Sequence, residues 1–183
     1  MKKTIIGIII CIVLATLLMG CGDNRDSLKN ILKMYDTINE DMTSGEVTKK
    51  LGTPSSIKEN TKASLVSYLY LDGALIVDFK DEKAVSKQIY YTSNNEKNIL
   101  VGKQLGTEIE DLTSIITNIE EGMTLEEVVK ILGDKYIETL SDWHYEYNAY
   151  TWYDKKENHV EIEFDKRGKV DYIYDIVTFS DAK

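Results

Sequence analysis

One fifteen-residue stretch occurs twice in this chain. Ile38–Gly52, INEDMTSGEVTKKLG, returns 81 residues later as Ile119–Gly133, IEEGMTLEEVVKILG, with nine of fifteen positions identical. A duplicated supersecondary unit constrains the fold more than any other feature of the sequence. Each copy spells a short helix with both ends marked. Thr43 and Thr124 are N-cap candidates, and Glu46 and Glu127, three residues on, complete a capping box. Val47 and Leu51, like Val128 and Leu132, are four apart and share one helix face. Gly52 and Gly133 follow the last apolar residue, where a helix stop favours glycine, and Pro54 blocks continuation of the first copy.

The repeat extends upstream at the same offset. Leu28, Ile31, Met34, Tyr35 and Ile38 match Ile109, Leu112, Ile115, Ile116 and Ile119, all apolar and on one stripe of helical period. Thr107 and Glu110 have the spacing of a further capping box, which predicts the start of the later helix. Met42 and Met123 are expected to plug the core at the turn between helices. After each helical pair the period changes to two. Val66, Tyr68 and Tyr70 alternate with Leu65, Ser67 and Leu69, Asp72-Gly73 signals a hairpin, and Leu75, Val77 and Phe79 continue the alternation. In the second copy Trp143, Tyr145 and Tyr147 lead to Tyr150 and Trp152, then to Val160, Ile162 and Phe164, then to Val170, Tyr172, Tyr174 and Ile176. Short strands near Ile57 and Ile137 would bring each copy to four. The expected fold is α+β. It has two tandem repeats, each a helix-turn-helix on a three- or four-stranded antiparallel sheet. The boundaries are 1–20 signal, 21–26 tether, 27–92 first repeat, 93–106 connector and 107–183 second repeat.

The N-terminus reads as an export signal. Lys2 and Lys3 precede an apolar run, Ile5 to Met19, which ends in Gly20-Cys21. The run is too short to be favoured as a membrane span. A small residue before cysteine resembles the lipobox of bacterial lipoproteins. That resemblance implies cleavage between Gly20 and Cys21, acylation of Cys21, and a lipid-anchored protein on the extracytoplasmic face of the cell membrane. Cys11 would leave with the signal, so the remaining chain would carry no free thiol and no disulfide. Loss of Lys2 and Lys3 takes the formal charge from −9 to −11. Such acidity argues against nucleic acid as a partner, because binding there rests on cations that neutralise phosphates.

The duplicated Met-Thr-x-x-Glu-Val-x-x-x-Leu-Gly element, followed by strands carrying Phe79 and Val85, then Phe164 and Val170, resembles two related families. One is the small outer-membrane assembly lipoproteins, with a single copy. The other is the secreted β-lactamase inhibitor proteins, with two copies in tandem. The resemblance implies a non-catalytic protein-binding module with an inhibitory or envelope-assembly role. In the inhibitors the two sheets form one concave surface, and a hairpin of the first repeat enters the target's active site. Asp72-Gly73 occupies a comparable hairpin here, although a D-G pair is first of all a turn demanded by backbone dihedrals. The cysteine count allows no disulfide in either repeat, unlike the inhibitors.

The sequence displays no zinc-type or calcium-loop spacing, no G-x-S-x-G elbow and no phosphate-cradling glycine loop. The expectation is therefore no enzyme, no cofactor and no metal. The aromatic group Trp143, Tyr145, Tyr147, Tyr150, Trp152 and Tyr153 is the candidate binding surface, with Asp72. Strand parity leaves two placements. Trp143, Tyr145 and Tyr147 either face the helices as core, leaving Tyr150, Trp152 and Tyr153 for exposure, or face outward as a rigid patch for a partner. The partner would be another protein. The alternative is a small ligand or cell-wall fragment stacked on the rings.

Overall fold

The computed structural model describes residues 28–71, 74–89 and 101–178. The signal, the tether, Gly20, Cys21, the Asp72-Gly73 turn and residues 93–100 of the connector lie outside the described residues. The two capping boxes form as their spacing predicts. Helix α2 (Ser44–Leu51) starts where the Glu46 N–H donates to Thr43 Oγ1 at 3.2 Å and the Thr43 N–H donates to Glu46 Oε2 at 2.9 Å. Helix α5 (Leu125–Leu132) has the same pair of bonds between Thr124 and Glu127, at 3.2 and 2.8 Å. Reciprocal caps of this kind are worth about 1 kcal/mol each. Val47 and Val128 are fully buried. Gly52 and Gly133 stop the helices at φ +87° and +83° with extended ψ, a backbone region open essentially to glycine alone.

Helix α1 (Leu28–Asp36) buries Leu28, Ile31 and Tyr35 and exposes Lys29 and Lys33. Four strands follow α2: β1 (Ser56–Asn60), β2 (Leu65–Tyr70), β3 (Leu75–Lys80) and β4 (Lys83–Ile89). Then come α3 (Val101–Leu105), α4 (Leu112–Ile115) with a 3-10 turn (Ile116–Asn118), and α5. Four more strands close the described chain: β5 (Tyr136–Asp142), β6 (Tyr147–Tyr153), β7 (His159–Phe164) and β8 (Val170–Ile173). All eight join one antiparallel sheet in sequence order. The junction is β4 with β5, which pair through Ser86↔Asp142, Lys87↔Ser141 and Gln88↔Leu140. The expectation of a separate sheet for each helical pair is thus replaced by one shared sheet.

The turn before each helix is tied to the sheet in the same manner. The Ala84 N–H donates to Met42 O and the Val170 N–H to Met123 O, both at 2.8 Å. Met42 and Met123 pack on the two main cores. One core joins Ile31, Tyr35 and Val47 to Leu75, Val77 and Phe79. The other joins Leu112, Val128 and Leu132 to Trp152, Val160, Ile162 and Phe164.

Two local expectations are corrected. Thr107 does not cap a helix: its hydroxyl donates to Tyr153 O at 2.7 Å. Glu110 pairs with Lys155, and the helix begins four residues later under Asp111, whose carboxylate accepts from the Thr113 N–H at 2.9 Å. A tertiary acceptor orients the Thr107 hydroxyl, whose oxygen accepts locally only from the Ile109 N–H at 3.3 Å. Nor is Trp143–Glu146 strand. Asp142 Oδ1 accepts from the Tyr145 N–H at 2.8 Å, and Glu146 adopts φ +58°, so these residues form the β5–β6 turn.

Candidate functional site

Strand pairing assigns the faces of the sheet. On the helix side one row runs Ile57–Tyr68–Val77–Lys87–Ser141–Asn148–Phe164–Val170, one residue from each strand. Its middle is polar. Lys87, Ser141 and Asn148 therefore separate the two apolar cores along a seam. The Lys87 ammonium donates to Tyr35 O and Ile38 O, each at 3.1 Å, and so satisfies carbonyls at the end of α1. It also lies 4.0 Å from the Tyr35 ring centroid. Glu138 is half-buried on the same side. Burial holds its carboxyl above the ordinary range, with Lys87 opposing and Asp36 adding to the rise. Burial lowers the Lys87 ammonium, opposed by Glu138 and Asp36.

That arrangement sets a pH dependence. Between the ordinary carboxylate pKa and the raised native one, the native state binds more protons than the unfolded chain. Stability then falls as pH rises through that window. Glu138→Gln removes the loss. The variant should unfold at higher urea than the parent at about pH 7, with the difference vanishing near about pH 3. An equal difference at both pH values would contradict the assignment.

The opposite face carries a second row, Ser56–Leu69–Ile76–Gln88–Leu140–Ala149–Glu163–Tyr172, again spanning all eight strands. Neither main core lies on this side. Beside it runs Lys58–Ser67–Asp78–Ser86–Asp142–Tyr147. The polar groups here are oriented by one another. Ser67 and Ser86 donate to the two oxygens of Asp78 at 2.5 and 2.8 Å. Thr139 donates to Glu161 at 2.7 Å, and Tyr174 to Glu163 at 2.6 Å. The Tyr174 phenol is pushed up by that bond and by burial, and burial with Asp142, Glu163 and Glu161 pushes up Tyr147. Tyr172 and Tyr174 stack edge-on at 4.8 Å and are exposed, Tyr172 by 54%. The β5–β8 half of this face is thus acidic and tyrosine-rich, while the β2–β4 half offers Leu65, Leu69 and Ile76.

One corner is covered. Ile137 and Tyr153 alternate with the core-facing Tyr136 and Trp152, and they pack with Val101 of α3 and Leu28 of α1. The chain from α3 onward wraps the β6–β7 turn, passing from this face back to the core side at Leu112. Gly102 is required at the crossing, since a Cβ there would meet Asp154 O at 2.8 Å.

The aromatic residues singled out in the sequence separate. Trp152 is fully buried and Tyr153 nearly so; both leave the list of exposed candidates. Trp152 donates through Nε1 to Gly133 O at 3.0 Å and stacks obliquely on Tyr136, because the turn at 143–146 sets the parity of β6 one way only. Tyr145 is 71% exposed at the turn, beside His144. Tyr147 is half-buried on the outward face. Trp143 and Tyr150 are half-buried on the core side, where Trp143 packs on the first core and Tyr150 meets Phe164 edge-on at 5.5 Å. They line a cleft of about 470 Å³ at the end of the seam, between the Glu40 turn and the start of α5. Sequence reasoning missed Leu69, Ile76, Leu140, Tyr172 and Tyr174 as surface. For Leu69 and Ile76 the signal was the alternation itself, read from the side opposite the core. Tyr172 shares the parity of core-facing Val170 and is turned outward by the register shift at Glu163/Phe164, which no alternation reveals.

Among the described residues no group of three or more His, Cys, Asp or Glu is placed to hold a metal ion, and no helix is long and apolar enough to cross a membrane. No protein-family model matches the chain, and no curated protein matches it.

Proposed function

We propose that this chain is a non-catalytic binding module of two tandem repeats, 27–92 and 107–183. Cys21 would anchor it by lipid to the extracytoplasmic face of the cell membrane, and its open sheet face would grip another protein. The observation that carries the reading is the outward row from Ser56 to Tyr172, which crosses eight strands on the side away from both main cores. A broad face with Leu69, Ile76, Leu140 and exposed tyrosines has the mix of apolar and amphipathic groups enriched where proteins meet. Asp142, Glu161 and Glu163 favour a partner with a basic patch. The shared capping boxes and the matching ties of Met42 and Met123 to the sheet support the tandem organisation. So does the resemblance to the two-copy inhibitors, whose partner is an enzyme. The lipid anchor rests on the Gly20-Cys21 site, and Cys21→Ser should move the protein out of the membrane fraction.

Proximity labelling of the anchored protein in its own cells tests the face. Leu140→Arg, an outward change on β5, should reduce labelling of the enriched proteins about fivefold or more. Lys33→Gln, exposed on α1 on the helix side and away from the cleft at the β5–β6 turn, should leave it unchanged. Equal labelling by the parent and Leu140→Arg would overturn the reading.

A further inference from the structure

The cleft beside the β5–β6 turn lies at the edge of the open face, shares Asp142 and Tyr147 with it, and reaches round to the core side at Trp143 and Tyr150. Its aromatic lining is the half-buried Trp143, Tyr147 and Tyr150, from the turn and from β6, backed by the buried Phe164 of β7. Carboxylates come from Glu40, Asp142, Glu146 and Asp165, against one lysine, Lys166. Two of the four are already engaged. Glu146 pairs with Lys166 at 3.2 Å. Asp165 folds its own turn, accepting from the Arg167 and Lys169 N–H groups at 2.8 and 3.0 Å and from the Arg167 guanidinium. Asp142 accepts one bond, from the Tyr145 N–H, through Oδ1. Glu40 has no ion pair among the described residues. The Lys87 ammonium lies 5.7 Å from the Trp143 ring, but it donates its hydrogen bonds to the Tyr35 and Ile38 carbonyls.

We propose that this cleft binds an organic cation, an ammonium or guanidinium group on an apolar body. Two carboxylates with no ion pair among the described residues attract the charge, and the exposed parts of Trp143, Tyr147 and Tyr150 accept its apolar shell. Aromatic walls attract cations through their quadrupole, and the attraction grows as water is excluded. A neutral ring-stacking ligand such as a sugar would use the walls and leave the excess negative charge uncompensated. The volume suits a small molecule or the end of a side chain. Asp142 is shared with the open face, whereas Glu40, Trp143 and Tyr150 belong to the cleft alone, so Glu40→Gln tests the site apart from the reading of that face.

The probes are choline and its uncharged isostere 3,3-dimethylbutan-1-ol, with arginine methyl ester for the guanidinium. They are titrated into the full chain in a glucoside detergent free of choline head groups. Binding is followed by calorimetry and by tryptophan emission. The chain has two tryptophans, and Trp152 is fully buried, so Trp143 reports the cleft. Both cations should quench emission saturably, with choline at least about tenfold tighter than the isostere. Glu40→Gln and Asp142→Asn should each weaken choline about threefold or more, and added salt should weaken it further. Both variants keep the hydrogen-bonding shape of the side chain, so an unchanged circular dichroism spectrum excludes misfolding. Equal affinity for the isostere, saturable binding of a neutral disaccharide instead, or no response to either cation would overturn the proposal.

Discussion

Trp152→Ala should lower the free energy of unfolding by about 4 kcal/mol, the range measured when a large buried ring is removed from a core. The side chain has no exposed surface. It lies against Val128 and Leu132 of α5 and the β7 residues Val160 and Ile162, in one buried cluster. Its ring centroid is 5.0 Å from Tyr136 and 6.5 Å from Tyr150. Truncation also leaves Gly133 O without its indole donor, at the point where α5 stops. Close packing permits only partial collapse of such a space. Tyr145→Ala, at a turn position 71% exposed, should change stability by less than about 0.5 kcal/mol. Urea unfolding of the two variants, monitored by circular dichroism, separates core from surface within a group that looks uniform in the sequence. A Trp152→Ala midpoint within error of the parent would mean the ring does not sit in the second core.

The contrast shows which parts of this fold can be read from sequence. The ends of α2 and α5 are legible because capping is local. Thr43, Glu46 and Gly52 satisfy backbone groups within one turn of themselves, as do Thr124, Glu127 and Gly133. The strands are legible from alternation, and four follow each marked helix as the bare sequence suggests. Thr107 has the same local pattern and fails. Tyr153 O lies forty-six residues away in sequence, and no pattern of spacing reveals it. The aromatic parity fails for a related reason. The β5–β6 turn contains no glycine or proline and is made by Asp142 and by Glu146 at positive φ, so the strand signal runs through it unbroken. Lys87 is a further case. In strand parity it falls on the buried face, where a cation is costly without partners. Those partners are carbonyls at the far end of a helix begun fifty-nine residues earlier, at Leu28. The union of the strands into one sheet depends on three residue pairs between β4 and β5. That union makes one open face across eight strands, and the repeat pattern by itself leaves it unspecified.

Asp154→Ala should be nearly as costly as the tryptophan change, at about 3 kcal/mol, by a different route. Asp154 is completely buried at the β6–β7 turn. One oxygen accepts from the Lys156 and Asn158 N–H groups at 2.8 and 3.0 Å. The other accepts from Asn158 Nδ2 at 2.8 Å and, more weakly, from the Leu112 N–H at 3.4 Å. Alanine would remove the acceptor these donors share, and hydrogen bonds to a charged acceptor are worth about 1.5–3 kcal/mol. The damage should be directional. The same turn holds Glu157 at φ +66°, from which its carboxylate accepts the Gly102 and Lys103 N–H groups at 2.8 and 2.9 Å. Those bonds dock α3 over Tyr153 and Ile137. Hydrogen exchange should therefore speed up first at the amides of residues 101–112, and the covered corner of the open face should become accessible while α2 and α5 stay protected. Asp154→Asn keeps the shape but turns an amide donor toward other donors, so it should fall between the parent and alanine. Uniform loss of protection across the sheet, with no earlier release of α3, would show that Asp154 serves global packing and does not hold this crossing in place.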